Sequence, residues 1–176
     1  MWEVELRPPQ TLSKEIYEEM KLVGSRENWY KNSNNYWNNV TQDVSGMLQG
    51  LEGVSDPDLK FSSEVLDKYI KEGKLKAGKV LDCGGGVGRI SKGLLINFFE
   101  TVDIVDQAPN LIAKAKESIK SSRMRNYFVS GLQDFTFNEK YDCIWIQWVL
   151  THITDTDAIK FLKNCKENLN ENVFYC

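Results

Sequence analysis

The sequence predicts an α/β fold, a parallel sheet with helices on both faces, preceded by a helical segment. Three observations carry this. From residue 79 onward, short β-branched and aliphatic runs alternate with stretches of helical period, the pattern of βαβ units. The first run, Lys79 to Cys83, gives way to Gly84, Gly86 and Gly88, a glycine-rich bend of the kind that joins a strand to a helix around a ligand. The last run, Tyr141 to Trp148, is almost continuously apolar, as expected of a strand covered on both faces.

Each element follows from the chain in order. Residues 1–10 read as a leader ending in Pro8-Pro9. Leu12, Ile16, Met20 and Val23 recur at helical spacing and predict an amphipathic helix from Thr11 to Val23, closed by Gly24-Ser25. A second helix is expected from Glu27 to about Asn39, and a third from Val44 to Leu48, stopped at Gly50. Leu51 to Lys60, with Asp56 and Asp58 around Pro57, shows no periodicity and reads as a loop. Ser62 or Ser63 then caps a helix that carries Val65, Leu66, Tyr69 and Ile70 on one face and ends at Gly73. Lys79 to Cys83 is the first strand, followed by a helix from Arg89 to Asn97 with Ile90, Leu94 and Leu95 toward the sheet. Thr101 to Val105 is the second strand. Pro109 opens a helix that runs to about Ser121. Tyr127 to Val129 is a short third strand, Tyr141 to Trp148 a fourth, and Asp155 to Leu169 the next helix. Right-handed crossovers give the order 3-2-1-4, with a switch point between the first and fourth strands. Ligands bind off the carboxyl ends there, where Gly84 and Gln147 fall. The expected division is a helical lid, residues 1–60, packed as one unit with a ligand-binding domain, residues 61–176.

Composition excludes several classes. The 176 residues suit one domain, and 41% apolar with 27% charged residues is globular composition. A net charge of -3 argues against a general nucleic-acid binder. No apolar run is long enough to span a bilayer, and Met1-Trp2-Glu3-Val4-Glu5 lacks the basic-then-apolar pattern of a signal region. Cys83, Cys143, Cys165 and Cys176 lie far apart without a C-x-x-C, so buried thiols are expected rather than a disulfide set, and no metal site is expected.

The glycine spacing narrows the ligand. A dinucleotide fingerprint, G-x-G-x-x-G, would need a third glycine at Arg89 or at Ser91. An acid at Asp82, two residues before the first glycine, followed by G-x-G-x-G, is instead the pattern of class I S-adenosylmethionine methyltransferases. Asp106 ends the second strand 18 residues after Gly88, where a carboxylate accepts both hydroxyls of a ribose. Asp106 also suits the start of the helix at Pro109, and the two roles are compatible. Arg89 would clamp the methionine carboxylate as a bidentate pair, its alternative being a surface arginine. Leu132 would supply an apolar face to the adenine, Gln133 would sit near the adenine edge, and Gln147 beside the methionine amino group.

Trp145-Ile146-Gln147-Trp148-Val149-Leu150-Thr151-His152 is a narrower match. Together with Leu81-Asp82-Cys83-Gly84, Gly88-Arg89-Ile90, Val102 to Asp106, Arg125 to Phe128 and Gly131 to Phe135, it resembles the eukaryotic protein alpha-N-terminal methyltransferase family. Those enzymes methylate the free α-amine of proteins that begin Xaa-Pro-Lys. The resemblance covers roughly residues 29 to 170, and Tyr36-Trp37 followed by Gly46-Met47-Leu48 fits the family's helical lid. It implies a Rossmann-like class I methyltransferase fold. Gly84, Arg89, Asp106, Gln107, Ala108, Leu132, Gln133 and Gln147 are expected around S-adenosylmethionine, with Tyr36, Trp37 and Trp148 facing the substrate N-terminus.

The resemblance also implies a catalytic role for His152, the single histidine. Histidine titrates in the range that lets it take or relay the proton of a terminal amine, and the alternative is a helix-cap or core residue. Trp37 and Trp148 would hold a cationic amine and a proline ring through their π-faces, and Trp145 reads as core. About the last quarter of a typical family domain has no counterpart before Cys176, so the sheet is expected to be truncated after the fourth strand and its helix. Val173 to Tyr175 is then a stub, and Tyr141 to Trp148 a long apolar edge. The expected function is methyl transfer from S-adenosylmethionine to Xaa-Pro-Lys N-termini, in nucleus and cytoplasm, with no direct nucleic-acid or membrane partner. The alternatives are a non-catalytic module that binds the cofactor or an N-terminal peptide, and a small-molecule methyltransferase.

Overall fold

Four parallel strands form one sheet in the order β3-β2-β1-β4 in the computed structural model, which describes residues 25–170. The expected leader, the helix from Thr11 to Val23 and the stub from Val173 to Tyr175 lie outside the described residues. The described elements are α1 (Arg26–Asn39), α2 (Val44–Met47), α3 (Ser55–Lys71), β1 (Lys79–Cys83), a π-helical turn (Ser91–Leu95) running into α4 (Ile96–Phe98), β2 (Thr101–Asp106), α5 (Pro109–Ser118), β3 (Met124–Val129), β4 (Cys143–Ile146) and α6 (Asp155–Glu167).

The central strands alternate between two apolar layers. Leu81 and Cys83 of β1 and Val105 of β2 point to one layer, with Tyr141, Ile144, Phe161 and Cys165. Val80 and Val102 point to the other, with Leu66, Leu94, Leu95, Phe99 and Trp145. Both faces are covered, so β1 and β2 are buried along their length, including Asp82 and Asp103, which are satisfied by Ser91 and by Arg125 and Tyr141. β1 pairs with β2 from Lys79↔Thr101 to Cys83↔Val105, and with β4 from Val80↔Cys143 to Cys83↔Ile146. All the strands therefore end together, and the bend from Gly84 onward opens at that end. Cys83, Cys143 and Cys165 are buried thiols, and burial pushes the Cys165 thiol up to about 12.

Three expectations need correction. The segment from Leu51 to Lys60 is not a loop: a 3-10 turn, Glu52–Val54, leads into α3, which begins at Ser55 rather than at Ser62 or Ser63. Pro57 sits in the first turn, where a missing N–H costs nothing, and Asp56 and Asp58 complement the helix dipole. One helix therefore crosses residue 60, the expected lid boundary. β3 is longer than expected, starting at Met124, because Arg125 pairs with the buried Asp103 next door. β4 is shorter, Cys143–Ile146, so the long apolar edge does not form. Tyr141 instead bridges to Leu169 in parallel, with Tyr141 N–H donating to the Asn168 carbonyl (2.9 Å) and Asn170 N–H to the Tyr141 carbonyl (2.8 Å). At the other end, Gln147 and Trp148 leave the sheet.

α1 is polar along most of its length and stays in place through a few anchored side chains. The Tyr30 hydroxyl donates to Asp157 Oδ2 at 2.7 Å and Arg26 Nε to the same oxygen at 2.7 Å. Thr154, the N-cap of α6, donates its hydroxyl to that oxygen as well (2.9 Å). The Trp29 indole N–H donates to the His152 carbonyl at 2.9 Å. The Arg26 guanidinium, with Tyr30 and Thr154, holds the Asp157 carboxyl down at about 2. A depressed carboxyl stabilises the fold above its unfolded value and loses that contribution as pH falls through the folded one. Acidification from about pH 4 to about pH 2 therefore releases α1 from α6. Asp157→Ala should cost about 2–3 kcal/mol in urea unfolding at pH 7, since it leaves a buried hydroxyl without its acceptor. Its stability should also vary less with pH over that acid window.

Candidate functional site

The carboxyl ends of β1, β2 and β4 enclose a cleft, the usual place for a ligand in an open parallel sheet. Its floor is the glycine bend. Gly84 and Gly86 adopt φ of +70° and +54°, which L side chains rarely tolerate. A Cβ on Gly84 would lie 2.4 Å from Val149 Cγ2, so glycine keeps this wall open. The bend is tied to the sheet by Gly84 N–H and Gly85 N–H, which donate to the Val105 carbonyl at 2.8 and 3.1 Å.

Asp106 sits where expected, at the end of β2. Oδ2 accepts from Gly86 N–H at 3.0 Å and Oδ1 from Ala108 N–H at 2.9 Å, so it fastens the glycine bend to the start of α5. Burial raises its carboxyl above the usual range, opposed by these backbone donors. Each carboxylate oxygen keeps a lone pair for a ribose hydroxyl. Asp106 is not the N-cap of α5: Ala108 holds that position without a side-chain cap bond, and Asp106 braces it from outside the helix. Asp82, at the end of β1, also lines the cleft and accepts from the Ser91 hydroxyl at 2.6 Å, and burial lifts its carboxyl to about 6.

Leu132 is buried in the wall and turns an apolar face to the cleft. Gln133 lines the cleft beside it and donates to Asp134 Oδ2 at 3.0 Å. Gln107 lines it too and reaches α1 through Nε2 to Ser33 Oγ at 3.0 Å. Ala108 is a correction. It is fully buried with Val87 and Leu111 beneath the cleft, and it serves the site through the N–H that it gives to Asp106.

Arg89 is not a surface arginine. Its side chain is 8% exposed, lines the cleft, and donates from Nη2 to Asp58 Oδ2 at 2.8 Å. Gln147 is fixed from both sides: Oε1 accepts from the Trp145 indole N–H (2.7 Å), and Nε2 donates to Asp58 Oδ1 (2.7 Å). Trp145 is core, as expected, with an added task of orienting that amide. Asp58 is the residue that the sequence reading missed, because it lay in the stretch taken for a loop. The pattern Asp56-Pro57-Asp58 was the available signal, since proline with flanking acids marks a first helical turn as readily as a bend.

The mouth is aromatic. Trp37 and His152 meet edge to face, ring centroids 5.1 Å apart, and both line the cleft with Met47 and Trp148. Trp148 is 66% exposed and has φ +60°, a strained geometry for a side chain this large. Tyr36 is a second correction. It packs edge to face on Trp37 at 5.1 Å but lines a neighbouring hollow with Trp29, Asn32, Ser33 and Thr151 instead of the main cleft. His152 borders both spaces, and burial lowers its pKa below 6.5, so the ring is neutral near pH 7. Among the described residues no His, Cys, Asp and Glu side chains cluster as a metal site would need.

A parallel sheet of this order, a glycine-floored cleft at its switch point and a carboxylate ending β2 define a Rossmann-like class I methyltransferase. The lining suits S-adenosylmethionine: Asp106 would hold the ribose, Leu132 would face the adenine, and Arg89 would hold the methionine carboxylate. Comparison with known proteins agrees. Residues 25–176 match the family described as AdoMet dependent proline di-methyltransferase, and the chain belongs to that family.

Its relatives include the Dictyostelium discoideum Alpha N-terminal protein methyltransferase 1, 43% identical over 157 residues, and the Homo sapiens N-terminal Xaa-Pro-Lys N-methyltransferase 1, 40% identical over 157 residues. These alignments take in 85% and 86% of this chain but 58% and 70% of the relatives. A solved SAM-dependent methyltransferase from Leishmania major superposes with a TM-score of 0.82 at 30% identity, over 92% of this chain and 66% of that one.

Proposed function

We propose that this protein transfers methyl groups from S-adenosylmethionine to the free α-amine of proteins that begin Xaa-Pro-Lys. The observation that carries this reading is the meeting, at one cleft mouth, of a histidine with two tryptophans beside a glycine-rich floor. The relatives named above are N-terminal and Xaa-Pro-Lys methyltransferases, which supports the same substrate class. S-adenosylmethionine, when bound, supplies an electrophilic methyl group on a sulfonium.

The chain's own residues do the rest. Arg89 holds the methionine carboxylate and Asp106 the ribose, through charge and hydrogen bonds. Trp37 and Trp148 offer π-faces to a cationic amine and an apolar surface to the proline ring. A terminal amine has a pKa of about 7.7–8.0, so little driving force is needed to free its lone pair. His152, kept neutral by burial, accepts that proton at a ring nitrogen. Trp29 holds the backbone that carries His152, so α1 is both roof and support of the site.

The test is direct. Incubation with S-adenosylmethionine and a peptide beginning Ser-Pro-Lys should give mass increments of whole methyl groups, and the N-acetylated peptide should give none. Cofactor uptake in calorimetry with no increment at high enzyme concentration would reduce the protein to a cofactor-binding module.

A further inference from the structure

We propose that Asp58 is a positioning residue that fixes the cofactor clamp and the substrate platform against one another. The inference rests on the methyltransferase reading above and deepens it. Asp58 touches neither end of the cleft directly, yet three residues that line it converge on its carboxylate. Oδ2 accepts from Arg89 Nη2 at 2.8 Å. Oδ1 accepts from Gln147 Nε2 at 2.7 Å and, at 3.4 Å, from the Trp148 indole N–H. Ser55 and Ser62, one helical turn to either side on α3, add contacts to Arg89 (3.5 Å) and Gln147 (3.4 Å).

Each bond has a separate consequence. The Arg89 side chain is 8% exposed, and a buried guanidinium without a counter-ion would swing toward solvent or draw water into the cleft. Paired with Asp58, it is locked in one rotamer with N–H groups left over for a ligand carboxylate. Gln147 has a reversible amide. Donors on Trp145 and acceptors on Asp58 leave one orientation in which both are satisfied, so the free lone pair of Oε1 keeps a fixed direction. Trp148 follows Gln147 directly, and its positive φ is held from a side chain that reaches back to α3. One carboxylate thus links the cofactor side of the cleft to the tryptophan at its mouth.

Positioning and competition predict opposite signs. If Asp58 merely competed for Arg89, removing it would tighten cofactor binding. If it positions Arg89, removal weakens binding of ligands that carry the amino-acid portion and spares those without it. The experiment is calorimetry on the full chain with S-adenosylmethionine and with 5′-methylthioadenosine, which keeps the adenosine and thioether but lacks the amino acid. Asp58→Ala should raise Kd for S-adenosylmethionine about tenfold and leave 5′-methylthioadenosine within about twofold. The peptide KM should rise as well, through Trp148. Unchanged or tighter S-adenosylmethionine binding, or an equal loss for both ligands, overturns the proposal.

Should the alanine variant not fold, Asp58→Asn decides on the same ligands. Its amide must face a donor in either orientation, Arg89 on one side or Gln147 on the other. It is therefore expected to lose cofactor affinity despite conserved volume. Wild-type binding of S-adenosylmethionine separates the two readings: its absence removes the parent function and this inference together, whereas its presence with an unaltered variant removes only the role of Asp58.

Discussion

Asp106→Ala is expected to weaken S-adenosylmethionine binding by a factor of several hundred, read as Kd by calorimetry. In the proposed complex the two ribose hydroxyls would each donate to a carboxylate oxygen, and hydrogen bonds to a charged acceptor contribute about 1.5–3 kcal/mol apiece. Even the lower figure, doubled, corresponds to roughly two orders of magnitude. The loss goes further, because Asp106 also takes the N–H groups of Gly86 and Ala108 and so shapes the bend on which the cofactor lies. Asp106→Asn, which keeps one acceptor, should fall between the two.

pH gives an independent check of the same residue. Burial raises the Asp106 carboxyl, and hydroxyl donors favour its ionised form, so wild-type affinity should decline on acidification as the carboxyl takes up a proton. The alanine variant should lack that decline. An affinity within about threefold of wild type would show that the ribose lies elsewhere.

What the sequence made legible, and what it hid, follows from the range of the forces involved. The strand order, the glycine bend and the acid closing β2 depend on local pattern and on the handedness of crossovers, and all appear as expected. The length of β4 does not, because hydrophobicity has the same signature in a sheet and in a cleft wall. Trp148 and Val149 continue the apolar run of Cys143–Ile146, yet they line the cleft after the backbone turns at Trp148. The start of α3 was hidden by a proline that suits a first helical turn and a bend equally. With it was hidden Asp58, whose partners Arg89 and Gln147 lie 31 and 89 residues away. Tyr36 shows the limit of neighbour reasoning. It is adjacent to Trp37, but on α1 consecutive side chains diverge, so Trp37 borders both the cleft and the hollow beside it while Tyr36 borders the hollow alone.

His152→Ala should lower kcat for peptide methylation by about 10²–10³ while leaving Kd for S-adenosylmethionine within about threefold, the split expected of a proton acceptor that does not hold the cofactor. His152 can take the proton of the substrate ammonium only while its own ring is neutral, and an amine that is already free needs no acceptor. The substrate amine loses its proton at about 7.7–8.0, and His152, depressed by burial, loses its proton below 6.5. In wild type the rate should therefore rise on a lower limb, through the histidine. The alanine variant should instead rise only on an upper limb, through the free amine.

A purely structural role for His152 predicts something else: a loss of stability, a change in cofactor affinity, and a pH profile whose shape does not change. Trp29→Phe separates the two further, since it removes the hydrogen bond to the His152 carbonyl without touching the imidazole. It should lower kcat by a smaller factor, about tenfold, and preserve the lower limb of the profile. If the lower limb persists in His152→Ala, the proton is taken by another group, and the pairing of His152 with Trp37 serves only to pack the mouth of the cleft.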